Sequence, residues 1–170
     1  CLSDPTIYEA FTYYEREVLP HKNDDTINAK AMPGAHAALQ AVQDAGLRCA
    51  LFTNPSFPQG AIDCRMGWGE LTDAPFELVT HMGNATRCKP DATYYLEQLQ
   101  VMGLEPHEVL MVGNDPKRDF PSPDCGIQTA YVGQGKPSRA TWRGTMEDFA
   151  HNFNAVVEAF YEHQVADELS

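Results

Sequence analysis

A hydroxyl with an amide, an ammonium, and a pair of carboxylates recur in this chain at one kind of place, just beyond an apolar run. Thr53-Asn54-Pro55 follows the run 47–52, Cys88-Lys89-Pro90 comes after the run 76–80, and Gly113-Asn114-Asp115-Pro116-Lys117-Arg118-Asp119 follows the run 108–112. A short apolar run bounded by turn residues reads as a buried strand. In an open α/β sheet, ligands bind outside the carboxyl ends of the strands. Delivered there together, these groups would make a site for a phosphate and a hard metal ion.

Each signal also has an ordinary reading. Thr53 and Asn54 could donate to phosphate oxygens, with Pro55 keeping Asn54 out of the helical region, but Asn-Pro is a turn signal by itself. Lys89 stands just ahead of a helix that Asp91 would cap, where the macrodipole opposes a cation. A bound anion or a carboxylate would explain it there; a solvated loop lysine is the alternative. Asp115 and Asp119 share a face if the turn between them is helical. Carboxylates at a strand tip suit Mg²⁺, which is held by one or two of them plus substrate phosphate and keeps several waters. Equally, Asp115 could be an N-cap and Asp119 a surface charge paired with Lys117 or Arg118. Gly113 tips the weighing toward a ligand, because it lets backbone come close at the strand end. The six histidines, at 21, 36, 81, 107, 151 and 163, show no ligand spacing. Trp68, Trp142 and the pairs Tyr13-Tyr14 and Tyr94-Tyr95 read as packing.

The elements that would position these groups follow from periodicity. Ile7, Ala10, Phe11, Tyr14 and Val18 form one helical face over residues 5–18, opened by an Asp4 cap and a first-turn Pro5. Residues 19–33 are polar and unperiodic and make the best domain boundary. From Gly34 onward, helix and strand patterns alternate. A helix ends at Gly46, which suits a C′ position; the strand 47–52 follows at once. A weaker helical pattern spans 58–68, and a strong one spans 91–102 with Gly103 as its stop. Strands at 108–112 and 127–132 come next, and a final helix starts near Met146 behind a Thr145/Asp148 capping box. This alternation calls for an α/β fold, a parallel sheet with helices on both faces.

Composition narrows the function. The chain is 43% hydrophobic and 21% charged, a globular balance, and 12 Lys and Arg against 24 Asp and Glu leave a net charge of −12. Such a charge repels nucleic acid and anionic membrane surfaces. Five cysteines without C-x-x-C spacing argue against a disulfide framework or a zinc site, and a reducing, cytoplasmic compartment is the expectation. No apolar stretch reaches the length of a membrane span.

Taken together, the run 32–54 with its Met32-Pro33-Gly34 start and Leu51-Phe52-Thr53-Asn54 end, Cys88-Lys89-Pro90, and Met111-Val112-Gly113-Asn114-Asp115 with Asp119 resemble the second, third and fourth motifs of the haloacid dehalogenase superfamily. The resemblance covers residues 32–134. It implies a three-layer, Rossmann-like parallel sheet with a remnant of a helical cap: residues 1–31 as cap remnant and return linker, 32–170 as core. It also implies a Mg²⁺-dependent phosphohydrolase that acts on a small phosphorylated molecule through an aspartyl-phosphate. By position, Thr53, Asn54 and Lys89 would bind the phosphoryl group, with Thr53 and Lys89 taking part in catalysis. Asp115, Asn114 and Asp119 would serve the metal, Asp119 being placed for a metal-bound water or Lys89.

Three departures stand against the pattern. No Asp-x-Asp follows an apolar run before residue 47, so the first motif, which supplies nucleophile and general acid, has no counterpart, and the expectation is that an N-terminal segment ahead of Cys1 is missing. In the superfamily that motif's strand lies mid-sheet, between those of the second and fourth. Asn114 stands where family members often carry Asp. Finally, Pro121 and Pro123 replace an expected helix with at most a short turn. A non-catalytic α/β binding or subunit-interaction module that keeps the phosphate loops is the alternative function. An unrelated nucleotide-binding α/β protein lacks support, since neither a G-x-G-x-x-G nor a P-loop occurs.

Overall fold

A computed structural model describes residues 4–168 other than 26 and 138, with side chains as far as 162. Cys1 and the side chain of His163 lie outside the described residues. Helix α1 (Pro5–Tyr13) starts where Asp4 accepts from the Thr6 N–H at 3.0 Å, and it runs on through a π-helical turn (Tyr14–Val18) and a 3₁₀ turn (Leu19–Lys22). The alternating part follows as α2 (Ala35–Asp44), β1 (Cys49–Leu51), α3 (Gln59–Trp68), β2 (Phe76–Val79), α4 (Ala92–Met102), β3 (Leu110–Gly113), β4 (Gln128–Val132), β5 (Trp142–Gly144), α5 (Met146–His151) and α6 (Phe153–Glu168).

Local chemistry accounts for most of these boundaries. Gly46 (φ +66) and Gly103 (φ +67) close α2 and α4 in the left-handed conformation that glycine adopts at no steric cost. Thr145 and Asp148 form a reciprocal capping box at α5. The expected last helix is broken near Asn152, whose side chain donates back to the Asp148 carbonyl, as Asn competes for backbone groups. Strand β5 has no period-2 signal; it is three residues long and pairs only with β4.

All strand pairings are parallel, as the alternation requires, but they form two sheets: β1 with β2, and β3–β4–β5. No hydrogen-bonded pairing joins the two sheets among the described strands, and β1 and β3 each keep one unpaired edge. Parallel strands inside a sheet are buried on both faces, and β4 obeys this, with Thr129–Val132 all buried. Every residue of β1 and all of β3 except Gly113 are only half-buried. One core cluster packs Ala38 of α2 and Phe149, Phe153 and Val156 against β4. Here Gly34 (φ +85) brings the start of α2 so near α5 that a Cβ would sit 2.6 Å from the Glu147 nitrogen.

A second cluster centres on Tyr94, Tyr95 and Leu99 of α4 with Ile127, and reaches both Phe52 beyond β1 and Met111 in β3. Helix α4 thus ties the two sheets together. By contrast, α1 buries no residue, and Ile7, Phe11 and Tyr14 of its apolar face are exposed.

Candidate active site

The three polar segments meet at the carboxyl ends of β1, β2 and β3. Beyond β1, the Thr53 N–H donates to the Thr80 hydroxyl at 2.7 Å and the Thr53 hydroxyl donates to the Thr80 carbonyl at 2.6 Å. From α4, the Tyr94 hydroxyl donates to the Thr53 carbonyl at 2.6 Å, while Tyr95 donates to the Arg118 carbonyl at 3.0 Å. One helix therefore fixes both the β1 tip and the loop after β3. Burial pushes the Tyr94 and Tyr95 phenols upward, so both remain neutral donors.

Lys89 and Asp119 form the centre. Their Nζ–Oδ1 distance is 2.7 Å, with side chains only 9% and 12% exposed. Asp119 Oδ2 accepts from the Asn114 and Asp115 N–H groups at 2.9 and 2.8 Å. The carboxylate thus folds the loop around itself and presents Lys89 at the sheet edge. The fit depends on Gly113, because a Cβ there would lie 2.4 Å from that of Asp119. The lysine that opposes the α4 dipole has a carboxylate beside it after all.

Asp115 does something different. Its Oδ1 accepts from the Lys117 and Arg118 N–H groups at 2.9 and 3.1 Å, and its Oδ2 from Arg118 Nε at 2.7 Å. This is the capping arrangement, and the Arg118 bond followed by the Lys117 N–H holds its carboxyl below the usual range. A cavity of about 550 Å³ opens above these groups, lined by Asn54, Lys89 and the run 114–119. Thr53 is at the same edge, but its hydroxyl is turned to Thr80. Asn54 and Asn114 are exposed.

The fully buried Thr80, Tyr94 and the Lys117–Arg118 pair were not singled out as site residues from the sequence. Tyr94 sits among the apolar residues of a helix face, so its hydroxyl has no periodic signature. Thr80 gains its role only from pairing across β1 and β2.

As for a metal, no group of three or more His, Cys, Asp or Glu among the described residues could hold one. The donors at the cavity are nonetheless all oxygen, an Asn114 amide and two carboxylates, which is the chemistry of a hard cation that keeps most of its water.

Comparison with known proteins gives the family and the fold. The profile of the haloacid dehalogenase-like hydrolases matches residues 7–123, and no curated protein sequence matches. Among solved structures, a candidate β-phosphoglucomutase of Thermotoga maritima superposes with a TM-score of 0.64 at 23% identity, covering 75% of this chain and 61% of that one. A β-phosphoglucomutase of Clostridium difficile gives 0.64 at 16%, covering 79% and 58%. A phosphatase of Thermococcus onnurineus gives 0.58 at 20%, covering 91% and 65%. The chain spans about three fifths of the length of these proteins. At such identities the likeness shows the fold, an α/β core of Rossmann-like parallel strands. With more than half of its residues inside the profile, the chain belongs to the haloacid dehalogenase-like hydrolases.

Proposed function

We propose that these residues form the phosphate- and metal-binding part of a Mg²⁺-dependent phosphohydrolase acting on a small phosphorylated molecule. The observation that carries this reading is the convergence of Asn54, Lys89 and residues 114–119 on one cavity at the carboxyl edge. Lys89 would neutralise charge on the transferring phosphoryl group, and its bond to Asp119 holds the ammonium ready without a reorganisation cost. Asn54 would donate to a phosphoryl oxygen. Thr53 would do so by turning its hydroxyl away from the Thr80 carbonyl. Phosphoryl transfer asks mainly for such positioning and charge stabilisation.

The Asn114 amide with Asp115 or Asp119 would hold Mg²⁺, which when bound would neutralise phosphoryl charge. Both carboxylates at the cavity are engaged, Asp119 by Lys89 and two N–H groups, Asp115 by its own turn. Neither serves as the nucleophile in this reading. We place the nucleophile on an Asp-x-Asp strand lying between β1 and β3, each of which has one unpaired edge. Its first carboxylate would attack phosphorus, its second would protonate the leaving oxygen, and water would release phosphate from the aspartyl-phosphate. Residues 1–31 would be the remnant of a helical cap and its return linker, and 32–170 the core; the exposed apolar face of α1 supports that division.

The same engagement of the carboxylates supports the second reading, a non-catalytic binding module, for these residues alone. Turnover of an aryl phosphate with Mg²⁺ separates the two. No turnover is expected from this chain, and turnover is expected from a longer protein that joins it to an Asp-x-Asp strand. Inactivity of the longer protein would leave the binding module, and activity of this chain would relocate the nucleophile.

A further inference from the structure

Of the four charged side chains that pair across the candidate site, Lys89 is matched by Asp119 and Arg118 by Asp115, each at 2.7 Å. The fifth charged group lining the cavity, Lys117, has no carboxylate partner among the described residues. The cavity wall therefore carries a net charge of +1 (three cations less two anions) in a chain whose net charge is −12. That local excess is held in place by geometry. The Lys117 N–H is bonded to Asp115 at 2.9 Å, and Pro116 fixes the preceding φ, so the backbone is anchored while the ammonium stays exposed at the rim.

We propose that Lys117 binds a second anionic group of the substrate, so that the preferred substrates are phosphate esters bearing a carboxylate or a second phosphate. This rests on the phosphate-site reading above and adds what that reading leaves open. Lys89, already neutralised by Asp119, faces the transferring phosphoryl group, and Lys117 is the cation still able to gain from a second negative charge across the cavity. A lysine suits the task, being a compact point charge on a flexible stem that tolerates carboxylate and phosphate alike.

Two non-hydrolysable ligands of nearly equal size test this on the chain itself, phosphonoacetate and ethylphosphonate, which differ by one carboxylate. Calorimetric titration is run without divalent cations, since a carboxylate beside a phosphonate would also chelate Mg²⁺. Phosphonoacetate is expected to bind about three- to fivefold more tightly, the size of one exposed ion pair. Lys117→Ala should abolish that preference and Lys117→Arg should retain it. Lys136→Ala, which removes a cation that does not line the cavity, should also retain it and so tests for a general field effect. Equal affinity of the two ligands for the unaltered chain, a preference that survives Lys117→Ala, or an equal loss in Lys136→Ala would overturn the proposal while leaving the phosphate site standing. Failure of both ligands to bind would overturn the phosphate site and this inference with it.

Discussion

At the scale of residues, two aspartates four positions apart have been given opposite tasks by their surroundings. Asp119 is 8% exposed and neutralises a lysine, so Asp119→Ala would leave the Lys89 ammonium and two N–H groups without their partner. A loss of about 3 kcal/mol is expected in urea unfolding, near the low end for a broken buried pair because each side chain keeps about a tenth of its exposure. Asp115 instead titrates in solvent contact. Its folded pKa is depressed by Arg118 and the Lys117 N–H, so its stabilisation of the turn is present above the unfolded value of about 3.9 and fades as pH falls through the lower folded value. NMR titration should place the Asp115 midpoint below that of an unstructured aspartate, and Arg118→Ala should raise it. Identity and order of the polar residues were legible in the sequence, whereas a carboxylate beside Lys89 was one of the alternatives the sequence left open. The capping role of Asp115 stood beside metal ligation as an open alternative, and the burial of Asp119 against Lys89 was not legible, since the alternative reading made it a surface charge paired with Lys117 or Arg118.

Among the elements, α4 carries the organisation of the site. Its existence and bounds could be read from apolar spacing and the Asp91 and Gly103 signals, but not its function as a brace, which lies in the hydroxyls of Tyr94 and Tyr95. Tyr94→Phe removes the bond to the Thr53 carbonyl, which is part-buried, and the buried 2.9 Å contact with the Thr80 hydroxyl. The expected loss is about 1 to 2 kcal/mol, the cost of leaving buried acceptors short of a donor, with a loosened β1 tip. Thermal unfolding and the chemical shifts of Thr53 and Asn54 would report the two effects; unchanged shifts would mean that α4 does not hold the tip. Strand β5 escaped sequence reading because three residues give too few alternations to detect, and its place follows from β4 alone.

Over the whole molecule, the described strands divide into two parallel sheets, β1–β2 and β3–β4–β5, in which β1 and β3 each have one unpaired edge. Half-buried parallel strands with one unpaired edge each are open to water on that side, so their amides should exchange rapidly in this chain. In a longer protein with a strand seated between them, the amides of Leu110–Gly113 and Cys49–Leu51 at the unpaired edges should become protected, whereas those of β4 should be slow in both. In the proposed reading, the strand between them is the one that carries Asp-x-Asp. That α4 would hold the two sheets together could not be read in the sequence, because it depends on long-range packing of Phe52, Met111 and the two tyrosines.

In the proposed reading, Lys89 stabilises a transferring phosphoryl group. The most direct test of that role is the kcat/KM for an aryl phosphate, with Mg²⁺, in the longer protein and its Lys89→Met variant, folding being verified by near-UV circular dichroism. A loss on the order of 10²-fold or more, the scale of removing a preorganised charge-stabilising donor, is predicted. Equal kcat/KM in a folded Lys89→Met variant would contradict it.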